Sequence, residues 1–269
     1  MASAQPQLDH LILLVSSIDV GHLAFLENAG FSLQPGGKHA DGLTENVLIT
    51  LDDGVYIEVI AFCADTSAQD RSNHWWGRKR EGWIDWCLAP TPLSAQERVN
   101  AINIVARESV YQNAAEGGRL NKQRQMIKWR VAFPVVGGDK GERSVRPFWC
   151  EDITDRTWRV PRSQQVHSNR AAGVSSLTLL SNTNGLTSYL EVLKPILGAS
   201  PKGQSHQFEL GSPNGSSKIK VFVKEPATED ERSWIQQRGQ GLFSVTLQTD
   251  RTDSPVQVGV LEQARMALE

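Results

Sequence analysis

Leu8-Asp9-His10-Leu11-Ile12-Leu13-Leu14-Val15 and Val55-Tyr56-Ile57-Glu58-Val59-Ile60 bound the stretch, residues 8–62, whose reading decides the fold. Both runs are rich in branched aliphatics and too short for a buried helix, so they read as strands. Each carries an ionisable residue, His10 or Glu58, inside its apolar run. Such a strand either pairs the polar group internally or shows it to a pocket. If the two strands are neighbours, an imidazole and a carboxylate face one cavity, which is half of a metal site. Strand alternation puts Tyr56, Glu58 and Ile60 on one face, so Tyr56 is a candidate for the same cavity.

Between these strands, Ile18, Leu23, Leu26 and Ala29 recur at near-helical spacing and Gly30 supplies the stop. Phe31-Ser32-Leu33 follows, then a Gly-rich turn from Gly36 to Asn46. Asn46 to Leu51 reads as a strand, and Asp52-Asp53-Gly54 as a hairpin into the Glu58 run. The unit is strand, helix, strand, strand, strand.

The unit recurs downstream. Trp83-Ile84-Asp85-Trp86-Cys87-Leu88 echoes the opening strand, with Trp86 where His10 stands. Ser94 to Glu97 is a capping box, and Val99, Ile102, Val105 and Ala106 stripe the helix behind it. Met126 to Phe133 reads as a strand, Gly137 to Glu142 as a turn, and Arg146 to Asp152 as the closing strand, with Glu151 near the place of Glu58. A third copy starts at Gly173, with a helix over Leu186 to Leu197 and strands at Gln207–Leu210 and Lys218–Val223. A charged linker, Glu225 to Gln240, helical around Trp234, precedes a truncated fourth copy at Gly241 to Asp250. The expectation is an α+β protein of repeated βαβββ modules. Modules 8–62 and 83–155 lie in a domain over 8–170, and degenerate copies fill 171–269. Only the first two copies carry candidate chemistry.

The chain has 269 residues, net charge −2 and a pI near 6.3, so no global field favours nucleic acid or an acidic membrane surface. No apolar run approaches the ~20 residues needed to span a bilayer. Three widely spaced cysteines, Cys63, Cys87 and Cys150, with no CxxC pair, read as reduced thiols of a cytoplasmic protein. The basic run Arg78-Lys79-Arg80 reads as a solvated loop. There is no phosphate loop, dinucleotide fingerprint or nucleophile elbow, which narrows the field to metal or acid–base chemistry.

A βαβββ repeat with His in its first strand and Glu in its last resembles the glyoxalase-like domain family of the vicinal oxygen chelate superfamily. The resemblance rests on Leu8-Asp9-His10, on Gly36-Gly37-Lys38-His39 with Thr44 and Asn46, and on Tyr56-Ile57-Glu58. Further matches are Pro147-Phe148, Arg156 with Val160-Pro161, and His167-Ser168-Asn169. Ser168 stands where the family has proline, and Leu43 where many relatives have glycine. The resemblance implies curved mixed sheets of paired modules enclosing a pocket, with a divalent ion (zinc, manganese, iron or nickel) on His10 and Glu58 and with Glu151, His39 or His167 completing its shell. Glu151, His39 and Tyr56 are the candidate catalytic groups, and Asn46, Trp86, Trp149, His167 and Asn169 the candidate substrate-binding residues. Lyase or isomerase chemistry on a small oxygenated molecule, through a chelated enolate or alkoxide, is the leading expectation. A metal-free sequestration protein and a metal-independent acid–base enzyme are the alternatives. The expected partners are a small-molecule ligand and a second copy of the chain, with neither nucleic acid nor membrane.

Overall fold

β1 (Gln7–Leu14) lies between β4 (Tyr56–Phe62), which runs parallel to it, and β5 (Gly82–Ala89), which runs antiparallel. Covered on both faces, it is apolar almost throughout, as a central strand must be. The computed structural model describes residues 5–121, 124–135, 144–161, 166–198 and 206–249, and the backbone of 266–268. The first module adds α1 (Val20–Asn28), β2 (Gln34–Lys38) and β3 (Thr44–Thr50) to β1 and β4. A short helix, α2 (Ala68–Asn73), leads to the second module. That module consists of β5, α3 (Ala95–Ala106), β6 (Ala115–Leu120), β7 (Met126–Ala132) and β8 (Phe148–Asp152), followed by α4 (Arg156–Arg159).

Pairing gives the order β2-β3-β4-β1-β5-β8-β7-β6 across both modules. The sheet curls far enough for its two edges to meet, where Arg119 Nη1 on β6 donates to Gly36 O on β2 at 2.7 Å. One face carries Leu11, Leu13, Ile57, Val59, Trp86 and Trp149 into the main hydrophobic core under the helices. The other face encloses a cavity.

The third unit repeats the design. β9 (Ala171–Leu180) is parallel to β11 (Lys218–Lys224) and antiparallel to β12 (Gly241–Thr249), with α5 (Leu186–Leu197), β10 (Gln207–Gly211) and α6 (Glu229–Arg238) between them. β13 (Met266–Leu268) edges β12. The amphipathic α5 buries Tyr189, Leu193, Ile196 and Leu197 against the same core as the first modules. The two halves are joined through the register Gln7↔Gly211 and through Asp53. The Asp53 carboxylate accepts from Val55 N and from Val174 N, each at 2.9 Å. Burial pushes its carboxyl up to about 6, although those two amides work against the shift.

The α+β expectation matches this architecture, with differences in detail. The second module has four strands rather than three, because β6, Ala-Glu-Gly-Gly-Arg-Leu, has too little apolar pattern to read as a strand. The same holds for β2, Gln-Pro-Gly-Gly-Lys, taken from sequence as part of a turn. Residues 63–82 hold α2 instead of loop alone. The expected turn over Gly137 to Glu142 and the strand end at Asp250 lie outside the described residues. Among the described residues no helix is long and apolar enough to cross a membrane, and all three cysteines are buried free thiols.

Candidate functional site

The β1–β5 register slips between Leu8 and His10, so that Asp9 is an extra residue in β1. This bulge reverses the phase of the strand. Leu8 packs in the core, and after Asp9 it is His10, with Ile12 and Leu14, that takes the cavity side. His10 stacks on Tyr56 with ring centroids 4.6 Å apart. Its Nδ1 is held by Asp9 Oδ1 at 2.5 Å, and its Nε2 lies 3.6 Å from Glu58 Oε2.

Glu58 reaches the cavity by plain alternation along β4, in which Val55, Ile57, Val59 and Ala61 enter the core. Its Oε1 accepts from Asn46 Nδ2 at 2.5 Å and lies 3.2 Å from His39 Nε2. His39 follows β2 in the hairpin, where Thr44 Oγ1 meets its Nδ1 at 2.7 Å. Burial alone raises the Glu58 pKa. The hydrogen bond and charge of His39, together with His10 and Asn46, outweigh it and bring the carboxyl down to about 2. Glu58 is therefore an anion, and two imidazoles turn their Nε2 atoms toward it while oxygen partners hold both Nδ1 atoms.

Behind His10, Asp9 is fully buried and bound by two guanidiniums. Arg159 donates to it at 3.1 and 3.2 Å, and Arg156 Nη1 donates to Oδ2. Burial raises the Asp9 pKa, but Arg156, Arg159 and His10 together hold it well below the usual range. Arg159 also donates to Asp152 and, at 2.7 Å, to Tyr56 Oη. Burial pushes the Tyr56 phenol well above its usual range, so it stays protonated.

The donor set fits a divalent cation. Two imidazole nitrogens and one carboxylate suit first-row transition ions, and the Asp9–His10 contact is the outer-shell orientation that metal-bound histidines show. A different grouping, Asp9, His10 and Cys87, also brings possible ligand atoms within 4.8 Å of one another. It fits less well, because Asp9 already receives Arg156 and Arg159.

Several expected site residues lie elsewhere. Paired registers relate β1 and β5 by an approximate twofold: Leu8↔Leu88 and Leu13↔Trp83, with a bulge near each end. Under it His10 corresponds to Asp85, and Trp86 corresponds to Leu11. Trp86 is accordingly fully buried in the core, a correction to its expected substrate-binding role. Asp85 takes no place on the cavity wall and accepts from Trp76 Nε1 at 2.9 Å. The matching registers Ile12↔Glu58 and Cys87↔Phe148 make Phe148, not Glu151, the counterpart of Glu58. Glu151 instead accepts from Ala95 N at 3.1 Å, at the start of α3. Trp149, on the same wrong parity, is core. His167 bridges Ser32 N and Thr50 O, each at 3.0 Å, and Asn169 donates to Ala29 O at 2.8 Å. These two fasten the chain behind α1 rather than line the cavity, and burial lowers the His167 pKa. His10, His39, Asn46, Tyr56 and Glu58 all line it.

The cavity measures about 450 Å³, within the range for small-molecule sites. Its polar end is the group just described with Arg119 and Arg159. Its other wall is aromatic: Trp75, Trp76, Trp129, Phe133 and Phe148. Sequence reading missed Arg119 because β6 itself was not seen. Gly36 tightens the polar end, since a Cβ there would fall 1.8 Å from Asn46 Oδ1. Gly36→Ala is expected to displace Asn46 from Glu58 and lower stability by roughly 1–3 kcal/mol. Urea unfolding checks this, and adding Asn46→Ala should then cost little more than Gly36→Ala alone.

Curved mixed sheets built from paired βαβββ modules around such a cavity define the vicinal oxygen chelate fold. Residues 8–191 match the model of the glyoxalase-like domain, and the chain belongs to that family. No curated protein sequence matches it. Among solved structures it resembles a hypothetical protein from Staphylococcus aureus over 98% of this chain and 99% of that one, at 14% identity and TM-score 0.68. A variant of 4-hydroxymandelate synthase from Streptomyces coelicolor aligns over 92% of this chain and 72% of that one, at 9% identity and TM-score 0.54. A xylose isomerase-like TIM barrel/4-hydroxyphenylpyruvate dioxygenase fusion protein aligns over 94% and 38%, at 13% identity and TM-score 0.52. At these identities the likeness is one of fold.

Proposed function

We propose that the protein is a metal-dependent enzyme of lyase or isomerase type, acting on a small oxygenated organic molecule in the cavity. The observation that carries this is the convergence of His10 Nε2, His39 Nε2 and the ionised Glu58, each oriented by its own partner. A divalent ion held there supplies Lewis acidity to oxygens of the substrate and eases proton loss from the neighbouring carbon. The chain supplies the rest. Asp9 holds the His10 ring, and Thr44 holds His39. Tyr56 receives a hydrogen bond from Arg159, which leaves its own proton for a substrate oxygen. The aromatic wall excludes water from the polar end. Glu151, whose carboxylate accepts from Ala95 N at the start of α3, takes no part in proton transfer.

A second reading has its own support. Asn46 and His39 already satisfy Glu58, so the same group serves metal-free acid–base chemistry or ligand sequestration. Elemental analysis of protein purified without chelator separates the two. A stoichiometric divalent ion is expected, with affinity reduced roughly 100-fold or more in His10→Ala and in His39→Ala. Sub-stoichiometric metal that zinc, manganese, iron and nickel all fail to raise would remove the metal-dependent reading.

A further inference from the structure

Among the described residues, Arg119 is the one cavity-wall arginine that the site does not use. The other arginine on the wall, Arg159, is committed to Asp9, Asp152 and Tyr56. Arg119 is only 6% exposed, and among the described residues no carboxylate pairs with it. Its Nη1 donates to Gly36 O at 2.7 Å and its Nη2 to Arg159 O at 3.3 Å. A guanidinium has five N–H donors in a fixed plane, so these two carbonyls, from β2 and α4, orient the fork and leave the remaining donors for a ligand. The acids on the cavity wall are engaged elsewhere. Glu58 is held by Asn46 and His39, Glu116 lies 3.5 Å from Arg130 Nη2, and Asp41 accepts from Leu43 N. Burial lowers the Arg119 pKa, and Tyr56 and Glu58 pull it back up, so its charge is balanced only at a distance. A buried arginine with backbone partners alone is costly unless an anion completes it.

The rest of the cavity states what the anion is attached to. Phe133 stacks on Phe148 with centroids 5.1 Å apart and lies 5.0 Å from Trp75, while Trp129 stands edge-on to His39 at 6.4 Å. This wall suits a flat ring. We propose that Arg119 is the carboxylate-binding residue of the cavity and that the ligand is a flat aromatic carboxylic acid, with its ring on the Trp129–Phe133–Phe148 wall. The planar fork binds both carboxylate oxygens, a geometry lysine does not reproduce. This inference rests on the cavity being a small-molecule site, as proposed above, and does not need the cation.

The test uses 2-naphthoate and its uncharged isostere 2-naphthamide, titrated against the full chain by calorimetry, with EDTA and separately with added manganese. In EDTA the acid is expected to bind at least about tenfold tighter than the amide. Arg119→Gln should abolish that preference, and Arg119→Lys should lower it at least threefold, in protein whose circular dichroism and melting confirm folding. Equal binding of acid and amide by the native chain overturns the proposal, as does a preference that survives Arg119→Gln. If the preference appears only with manganese and survives Arg119→Gln, the carboxylate sits on the ion, and the metal reading stands while this one falls. If the preference holds in EDTA and no metal is retained under any condition, the reverse is true. Should Arg119→Gln fail to fold, an unchanged preference in Arg119→Lys is enough to refute it.

Discussion

Asp9→Ala is expected to lower the unfolding free energy by about 3–5 kcal/mol, the range for breaking a buried charge network from one side. Asp9 is fully buried and receives both Arg159 and Arg156, with His10 beside it. Removing its charge leaves Arg159, itself 5% exposed, with Asp152 and Tyr56 alone, and opens a void next to three polar groups. Acid should erase part of the difference. The folded-state pKa of Asp9 is depressed by the two arginines and His10 against the opposing effect of burial. Its contribution is thus fully present above the ordinary carboxylate pKa of about 4 and is lost as pH falls through the depressed value. Wild type and Asp9→Ala should therefore differ by a constant amount above about pH 5 and converge below about pH 4 in denaturant titrations. The same variant frees the His10 ring, so affinity for an added divalent ion should drop about 10–100-fold. A loss under 1 kcal/mol at neutral pH would contradict the network's structural role.

Trp86→Ala is expected to cost a similar amount, about 3–5 kcal/mol, for a different reason. Its indole is fully buried in the main core and donates to Ser144 O at 3.1 Å. Truncation empties a large volume in a close-packed core that relaxes only in part. Ligand affinity in the folded fraction should change less than about threefold, because the cavity lies across the sheet. Trp129→Leu should show the opposite pattern, with a weaker grip on 2-naphthoate and a smaller loss of stability, since Trp129 is partly exposed on the cavity wall. Thermal melts paired with ligand titration of both variants distinguish core from wall. If Trp86→Ala abolished binding in folded protein, the placement of Trp86 in the core would be wrong.

How far the chain could be read in advance varied by element. α3 announced itself through the Ser94–Glu97 capping box, which forms with both reciprocal bonds. The β4 alternation placed Tyr56 and Glu58 on one face without reference to any partner strand, because a two-residue period is a property of the strand itself. β2 and β6 escaped because glycines and charges replace the apolar signal there. Edge strands of a curled sheet need little hydrophobic surface when their hydrogen bonds and the Arg119–Gly36 link hold them. With β6 unseen, Arg119 had no location.

The local pattern by itself determined the repeating βαβββ units, the buried β1, and the pairing of His10 with Glu58 as groups of interest. All three follow from period, burial and turn chemistry within a few residues. Which residues of the second module face the cavity was decided only by tertiary structure. A bulge at Asp9 and another near Ile84 each shift strand phase by one residue, and one residue of phase exchanges the two faces of a sheet. That shift sends Trp86 and Trp149 to the core and leaves Asp85 and Phe148 in the places that Trp86 and Glu151 seemed to hold. Tertiary structure also decided that His39, just past β2, meets Glu58, a contact that follows from the pairing of β2 with β3 and of β3 with β4.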